Sequence, residues 1–281
     1  MTCLATLCYT LNDTITKFLI DDYPVTVIIF VRSIVAMPLL AATALTVGRE
    51  RVRWSRRFPF HALRGAINLL AAYLYIRGLG HLSVAEATVI IFALPFIITV
   101  LSALFLREHV GRGKWASVIV SFGGVAIAIQ PGAQTFQPAS LFILAASFLY
   151  AINSVTSRWI PEEDNLWTVS FLGAAFSALF VAPLAGANWV TVNVEDLLLF
   201  TGAAFCSSLA IGLGSLAYRS APASDLAPFG YSGLIWSLGV TWIMWGSVPG
   251  AATFLGAAII ASSAFLHVVS ARRGAARATS N

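Results

Sequence analysis

Long runs of apolar residues recur along the chain and are separated by short polar turns. A helix that spans a membrane needs about 20 mostly apolar residues, whereas strands of a membrane barrel would alternate polar and apolar positions. The runs are long and do not alternate, so the pattern predicts an all-α integral membrane protein with ten transmembrane helices. The predicted spans are residues 3–20, 25–47, 60–79, 84–106, 114–131, 139–159, 166–185, 197–218, 226–246 and 251–270.

The two halves of the chain resemble each other. The stretch from Tyr9 to Phe18 aligns with Tyr150 to Trp159 at an offset of 141, with tyrosine and asparagine repeated at matching positions. Farther along, Glu86 aligns with Asp225, and Glu108 to Val125 aligns with Ser247 to Ala264, both at an offset of 139. Two separate matches at nearly one offset indicate a duplication. We therefore expect two five-helix repeats, residues 1–137 and 138–281.

Five is an odd number of helices, so the second repeat would enter the membrane from the opposite side to the first. Inverted repeats of this kind are typical of secondary transporters, which bind substrate near the midplane between the halves. Two similar halves of opposite orientation can exchange conformations, which gives two states of similar energy that open to opposite sides. The pattern therefore predicts transport by alternating access.

Composition and charge agree with a membrane protein. Of the 281 residues, 58% are hydrophobic and only 10% are charged, against roughly 25% charged residues in soluble domains. The net charge is +5, but 14 of the 17 lysines and arginines fall on one side of the predicted topology. Basic residues mark the cytoplasmic side, so we expect both termini there, in a multi-pass protein of the bacterial inner membrane. The charge then signals orientation rather than nucleic-acid binding.

Two charges inside the spans are the main candidates for function. A charge at a helix centre costs roughly 2.5–3.5 kcal/mol on insertion scales, so it must face protein or water. Asp13 would couple transport to protons or contact a cationic substrate group, or it would simply pair with Lys17 or Arg32. Arg32 would pair with Asp13 as a gate, anchor an anionic group, or serve a structural role.

Uncharged polar and aromatic residues extend this candidate site. Asn153 occupies the repeat position of Asn12, and Asn68 lies halfway along the third span. These amides would line a central cavity or join neighbouring helices by hydrogen bonds. Aromatic rings in the central spans suit a planar or cationic solute, although packing between helices explains each ring equally simply. These rings are Tyr9, Tyr73, Tyr75, Tyr150, Tyr231 and Trp236.

Helix interruptions and one external turn complete the set of candidates. Pro95 and Pro228 lie in spans four and nine, and a proline removes a backbone hydrogen bond and kinks a helix. Such interruptions in both halves point to a substrate site. Arg77, His81 and Glu86 cluster near the turn before span four, where they would form a gate, although a carboxylate at a helix start is ordinarily a cap.

No motif for an energy-coupling or catalytic site is present in the sequence. There is no phosphate-binding GxxxxGK[ST] loop, HExxH, CxxC or nucleophile elbow, and the four histidines lack metal-ligand spacing. We therefore expect a non-enzyme without cofactor or metal, whose partners are a small metabolite, membrane lipid, and a proton or counter-substrate. A membrane-embedded enzyme that modifies lipids is the alternative from another class.

In their order along the chain, several short motifs resemble the EamA family of the drug/metabolite transporter superfamily. Within that family, the likeness is greatest to uptake carriers for S-adenosylmethionine and riboflavin. The resemblance implies ten helices and uptake of an aromatic or heterocyclic solute, with export of amino acids or toxic amphipathic compounds as the alternative. The motifs are Asn12-Asp13, Tyr23-Pro24, Phe30-Val31-Arg32, His61-Ala62-Leu63-Arg64-Gly65, Ala87-Thr88, Pro95, Glu108, Trp115, Ala227-Pro228-Phe229-Gly230-Tyr231, Leu234-Ile235-Trp236, Pro249 and Gly256.

Overall fold

The computed structural model describes residues 1–52, 55–108, 110–132, 136–160, 163–220, 226 and 229–263. Throughout these ranges the chain forms helices joined by short turns, and none of the described residues forms a strand. The predicted helix break at Pro228 lies outside the described residues, as do Asp225, His109 and His267.

The described part of the first half of the chain contributes six helices, which we number in chain order. A π-helical turn, Ala44–Gly48, continues α2, and α4 and α5 together form one apolar segment, Val84–Phe105. The helices are α1 Thr2–Asp22, α2 Val25–Thr43, α3 Phe58–Leu79, α4 Val84–Ile91, α5 Leu94–Phe105 and α6 Arg112–Ile129.

The described part of the second half contributes five further helices. A 3₁₀ turn, Ser157–Trp159, continues the first of them. The helices are α7 Ala139–Thr156, α8 Leu166–Ala187, α9 Val194–Ser220, α10 Ser232–Trp245 and α11 Ala251–Ser263.

Six helical segments of the described residues are both long and apolar enough to cross a membrane, which establishes a membrane protein. Helices α10 and α11 are apolar but shorter. With 21 and 22 residues, α1 and α3 are long enough to span, but polar side chains lower their hydropathy. The six segments are Val25–Val47, Val84–Phe105, Arg112–Ile129, Ala139–Trp159, Leu166–Ala187 and Val194–Ala217.

The break between α4 and α5 follows from Pro95. Proline has no N–H to donate, and its ring clashes with the carbonyl four residues earlier, which here belongs to Ile91. The chain therefore makes a turn at Phe92 and Ala93, where the Ala93 N–H donates to the Ile90 carbonyl at 3.0 Å. A new helix then begins at Leu94, with Pro95 in its first turn.

Packing runs mainly between the two halves of the chain. Helix α1 lies along α9, α2 along α8, and α3 along α7, whereas α1 and α2 touch each other only slightly. Small residues allow the closest approaches. A Cβ added at Gly65 on α3 would lie 2.4 Å from the Cβ of Phe176 on α8, and one added at Gly256 would lie 2.5 Å from the Gly124 carbonyl oxygen.

Polar contacts tie the loops together at both ends of this bundle. At one end, which we term the basic end, ion pairs join Arg158 to Glu108 and Arg219 to Glu50. There His61, 2% exposed, also contacts Asp164 at 3.0 Å. At the opposite end the Tyr23 hydroxyl donates to Asp196 at 2.6 Å, and so the ends of helices from both halves are held together.

The close contact at Gly65 gives a test of the packing between α3 and α8. Gly65→Ala should destabilise the protein by about 1–3 kcal/mol, because the added methyl group overlaps Phe176. Gly173→Ala on α8 is the matched control, since nothing lies within 4 Å of its added Cβ. Thermal unfolding in detergent measures both variants. Equal melting temperatures for the two would contradict the packing described.

Candidate functional site

A network of polar side chains lies midway along α1 and α2. The Arg32 guanidinium on α2 reaches across to α1, where Nη2 donates to the Asn12 Oδ1 at 2.6 Å and Nη1 donates to the Thr16 hydroxyl at 2.9 Å. The Asn12 amide in turn donates to the Asp13 Oδ1 at 2.9 Å. Asn12 therefore bridges the carboxylate and the guanidinium, and none of the ion pairs among the described residues joins them directly.

Helix α3 contributes the second contact to the Asp13 carboxylate. The Tyr75 hydroxyl donates to the Asp13 Oδ2 at 2.7 Å, so each carboxylate oxygen accepts one hydrogen bond. Each oxygen retains a further lone pair. Asn12, Thr16 and Tyr75 are buried, whereas Asp13 and Arg32 stay partly accessible. Asp13 and Arg32 are thus the less buried members of the network.

Arg32 also retains an unused donor. Its Nε is buried and has no hydrogen-bond partner in the part of the chain that the structure describes. Burial of an unpaired donor costs free energy, and a charge in the membrane must face protein or water. The guanidinium is therefore held in place by α1 while its Nε N–H is left without an acceptor.

Lys17 does not act as the partner of Asp13. Its side chain extends to the end of α3, where its ammonium donates to the carbonyl oxygens of Leu79 at 2.8 Å and Leu82 at 2.7 Å. The same Nζ lies 5.9 Å from the ring centre of Trp245 on α10. Of the two pairings considered for Asp13, the structure contains the one with Arg32, mediated by Asn12.

Helix α7 places Tyr150 beside the network and Asn153 farther away. Tyr150 is partly accessible and lies near both Asp13 and Arg32. Asn153 instead joins α7 to α3: its amide donates to the Arg64 carbonyl at 3.3 Å, and Arg64 donates to the Asn153 carbonyl at 2.6 Å. The Asn153 Oδ1 is buried without a partner among the described residues.

The remaining aromatic candidates occupy three different places. Tyr231 stacks on Phe92, with ring centres 5.1 Å apart. The Trp236 indole donates to the Cys3 carbonyl at 3.1 Å and so joins α10 to α1. Tyr73 packs against the apolar cluster around Leu19. Among these three, only Tyr231 lies at a helix interruption.

Asn68 and the gate candidates make few contacts with the network. Asn68 is partly exposed, and no hydrogen bond of its side chain is found among the described residues. Arg77 and His81 are exposed. Glu86 forms a capping box with Ser83, accepting from the Ser83 N–H at 2.9 Å and donating its own N–H to the Ser83 hydroxyl at 3.2 Å. Its carboxylate is therefore engaged at the start of α4.

Two contributing residues, Thr16 and Phe92, were not singled out from the sequence. Thr16 lies one turn beyond Asn12, so helical spacing places both on one face. Phe92 lies 139 residues before Tyr231, which is the repeat offset. Tyr75 and Lys17 were candidates from the sequence, but their partners lie in distant parts of the chain, which spacing does not reveal.

In the described residues, no group of three or more histidine, cysteine or acidic side chains is placed to hold a metal ion. Cys3, Cys8 and Cys206 are free thiols. The chemistry available at the network is therefore that of charge pairing, hydrogen bonding and ring stacking, which suits recognition of an organic solute.

Comparison with known proteins indicates that the class of protein is a membrane transporter. An S-adenosylmethionine uptake transporter of Rickettsia bellii is 26% identical over 262 residues, covering 93% of this chain and 90% of the relative. A riboflavin transporter of Vibrio cholerae is 28% identical over 246 residues, covering 85% and 81%. A pseudopaline exporter of Pseudomonas aeruginosa is 25% identical over 262 residues, covering 92% and 90%.

A solved crystal structure shares the fold, with a TM-score of 0.64 at 18% identity, over 96% of this chain and 98% of the other. The model of the EamA-like transporter family matches residues 1–130 of the chain. The protein is accordingly a transporter and not an enzyme, and the alternative of a lipid-modifying enzyme is set aside.

The bridged charges give a test by double-mutant cycle. Arg32→Leu alone should destabilise the protein by about 3–5 kcal/mol, because it leaves the Asp13 charge without its counterpart. Asp13→Leu combined with Arg32→Leu should recover much of that loss, because no unpaired charge remains. Thermal unfolding of the two single variants and the double variant in detergent measures the coupling. Strictly additive losses would show that the two charges do not stabilise each other.

Proposed function

We propose that the protein is a secondary transporter that moves a small organic metabolite across the bacterial inner membrane by alternating access. Ten transmembrane helices would form two inverted five-helix repeats, residues 1–137 and 138–281. In this arrangement the repeat relates α1 to α7, α2 to α8, α3 to α9, the broken pair α4–α5 to α10, and α6 to α11.

The contacts between helices support this relation. A two-fold relation between the halves requires every contact to have a repeat-related counterpart. The packing of α1 on α9 corresponds to that of α7 on α3, and the packing of α2 on α9 corresponds to that of α8 on α3; all four are present. Helices α2 and α8 also pack on each other, as repeat mates close to a two-fold axis would.

The observation that carries the proposed site is the network of Asp13, Asn12, Arg32 and Tyr75. Charges within a membrane span are expensive, and they mark substrate or ion pathways. These two charges remain partly accessible, and Tyr150 lies beside them from the second half of the chain. The substrate would bind here at the midplane, near Asn12, Asp13, Tyr73, Tyr150, Asn153 and Tyr231.

For the cargo we favour an aromatic or heterocyclic metabolite such as riboflavin or S-adenosylmethionine, taken up from outside. The tyrosines offer flat rings and hydroxyls, Asp13 offers a counter-charge for a sulfonium or ammonium group, and two relatives carry those names. Export is the alternative direction, supported by the similarity to the pseudopaline exporter. A reversible carrier follows its gradients, so the same residues would serve either direction.

For energy coupling we propose that Asp13 carries a proton, with exchange against a counter-substrate as the alternative. A carboxylate that accepts bonds from Asn12 and Tyr75 yet stays partly accessible can exchange its proton as the two sides open in turn. Orientation would follow the basic residues, which places both termini and the basic end of the bundle in the cytoplasm.

Replacement of the Asp13 carboxylate tests the proposal. Asp13→Asn should lower uptake of radiolabelled riboflavin or S-adenosylmethionine by about ten- to a hundredfold, since hydrogen bonds to a charged group are worth about 1.5–3 kcal/mol. Any residual uptake should no longer respond to external pH, because the amide cannot take up a proton.

Asp22→Asn is the matched control, because Asp22 lies on the same helix but is exposed at its end. Uptake in a host that lacks its own carriers measures all three proteins. Saturable counterflow by the wild type supports a carrier, whereas linear flux would contradict one. If Asp13→Asn keeps both its rate and its pH response, Asp13 does not couple protons.

A further inference from the structure

Phe92 and Tyr231 occupy equivalent positions in the two halves. They are 139 residues apart, the same offset that relates Glu86 to Asp225. Each lies where its helical segment is interrupted: Phe92 in the turn between α4 and α5, and Tyr231 in the turn that precedes α10. The structure therefore places one aromatic ring at the corresponding break of each half.

These two rings stack on each other. Their centres are 5.1 Å apart and their planes differ by 22°. Residues related by a two-fold axis can touch each other only if they lie close to that axis. The stacked pair thus lies near the axis between the halves, which is where repeat transporters bind their substrates.

The surroundings leave these rings available to a solute. Both residues are partly exposed, and the Tyr231 hydroxyl has no hydrogen-bond partner among the described residues. A small residue lies beside the Phe92 ring, since a Cβ added at Gly233 would be 3.6 Å from the Phe92 Cζ. The pair packs against the same apolar cluster as Tyr150, and Tyr150 in turn adjoins the charges of Asp13 and Arg32.

We propose that Phe92 and Tyr231 form a stacking platform that selects solutes with a planar heteroaromatic ring. The ring of the solute lies against the platform, the Tyr231 hydroxyl hydrogen-bonds to its edge, and a polar or charged tail extends past Tyr150 toward Asp13 and Arg32. This inference rests on the transport function proposed above and assigns the ring-recognising residues within it. Phe92 is the specificity-determining residue that this inference adds.

Counterflow in proteoliposomes tests the platform with paired solutes. Riboflavin is compared with ribitol, which lacks the flavin ring, and S-adenosylmethionine is compared with S-methylmethionine, which keeps the sulfonium but lacks adenine. Phe92→Leu should raise the KM for the ring-bearing solute by about tenfold with little change in kcat, and it should leave the ring-less solutes unchanged.

Two further variants separate recognition from folding. Tyr231→Phe keeps the ring and should retain most of the preference for ring-bearing solutes, whereas Tyr231→Leu should lose it as Phe92→Leu does. Phe254→Leu is the matched control, because Phe254 on α11 is 41% exposed on the outer surface of the helix bundle and makes no ring contact among the described residues. If Phe92→Leu is not monodisperse on size exclusion, Tyr231→Leu takes its place.

Quenching of flavin fluorescence by the purified protein, measured in parallel, distinguishes the two proposals. Riboflavin binding that Phe92→Leu weakens, without counterflow of any solute, supports the platform and overturns transport. Counterflow with no preference for ring-bearing solutes, or with the same preference in wild type and Phe92→Leu, overturns the platform and leaves transport standing. A wild type that neither binds nor exchanges any of the four solutes contradicts both.

Discussion

The cost of a charge inside a membrane constrains this protein more than any other interaction. Asp13 and Arg32 are tolerated because Asn12 bridges them, and because Thr16 and Tyr75 satisfy further oxygens and N–H groups. The arrangement fixes α1 against α2 and α3 even though α1 and α2 pack on each other only slightly. Apolar packing places α1 along α9 and α2 along α8, and so the polar network ties together helices that apolar contacts would leave apart.

This constraint also explains which helices fall short of the hydropathy expected of a membrane span. Helices α1 and α3 are long enough, but they carry Asp13, Lys17, Arg64 and Asn68 among their apolar residues. Protein covers them: α1 lies along α9 and α3 along α7 and α8. The more apolar helices can face lipid, as exposed Ile119 on α6 and Leu179 on α8 indicate. Low hydropathy in α1 and α3 therefore accompanies cover by other helices.

Much of the fold could be predicted from the sequence, because apolar runs of span length indicate helices and a proline within such a run indicates a break. The interruption near Pro95, and the contacts that Asp13 and Arg32 make with other side chains, follow from single residues whose cost in a helix or a membrane is known. The pairing of Asp13 with Arg32 through Asn12, rather than with Lys17, did not follow. Lys17 lies one turn from Asp13 by sequence, but its long side chain reaches the carbonyl oxygens of Leu79 and Leu82 instead. Such choices depend on the packing of α3 against α1, which sequence spacing does not contain.

The separation along the chain between Asp13 and its partners has a consequence for biogenesis. When α1 leaves the ribosome, Asp13 lacks the partners that it has in the folded protein, because Arg32 follows 19 residues later (32 − 13) and Tyr75 a further 43 residues on (75 − 32). A lone helix that carries an aspartate and a lysine would partition poorly into lipid. Helices α1 and α2 therefore need to enter the bilayer as a hairpin, and α1 gains its remaining cover only when α9 arrives. Early insertion of this protein thus depends on the same residues that are proposed to meet its substrate.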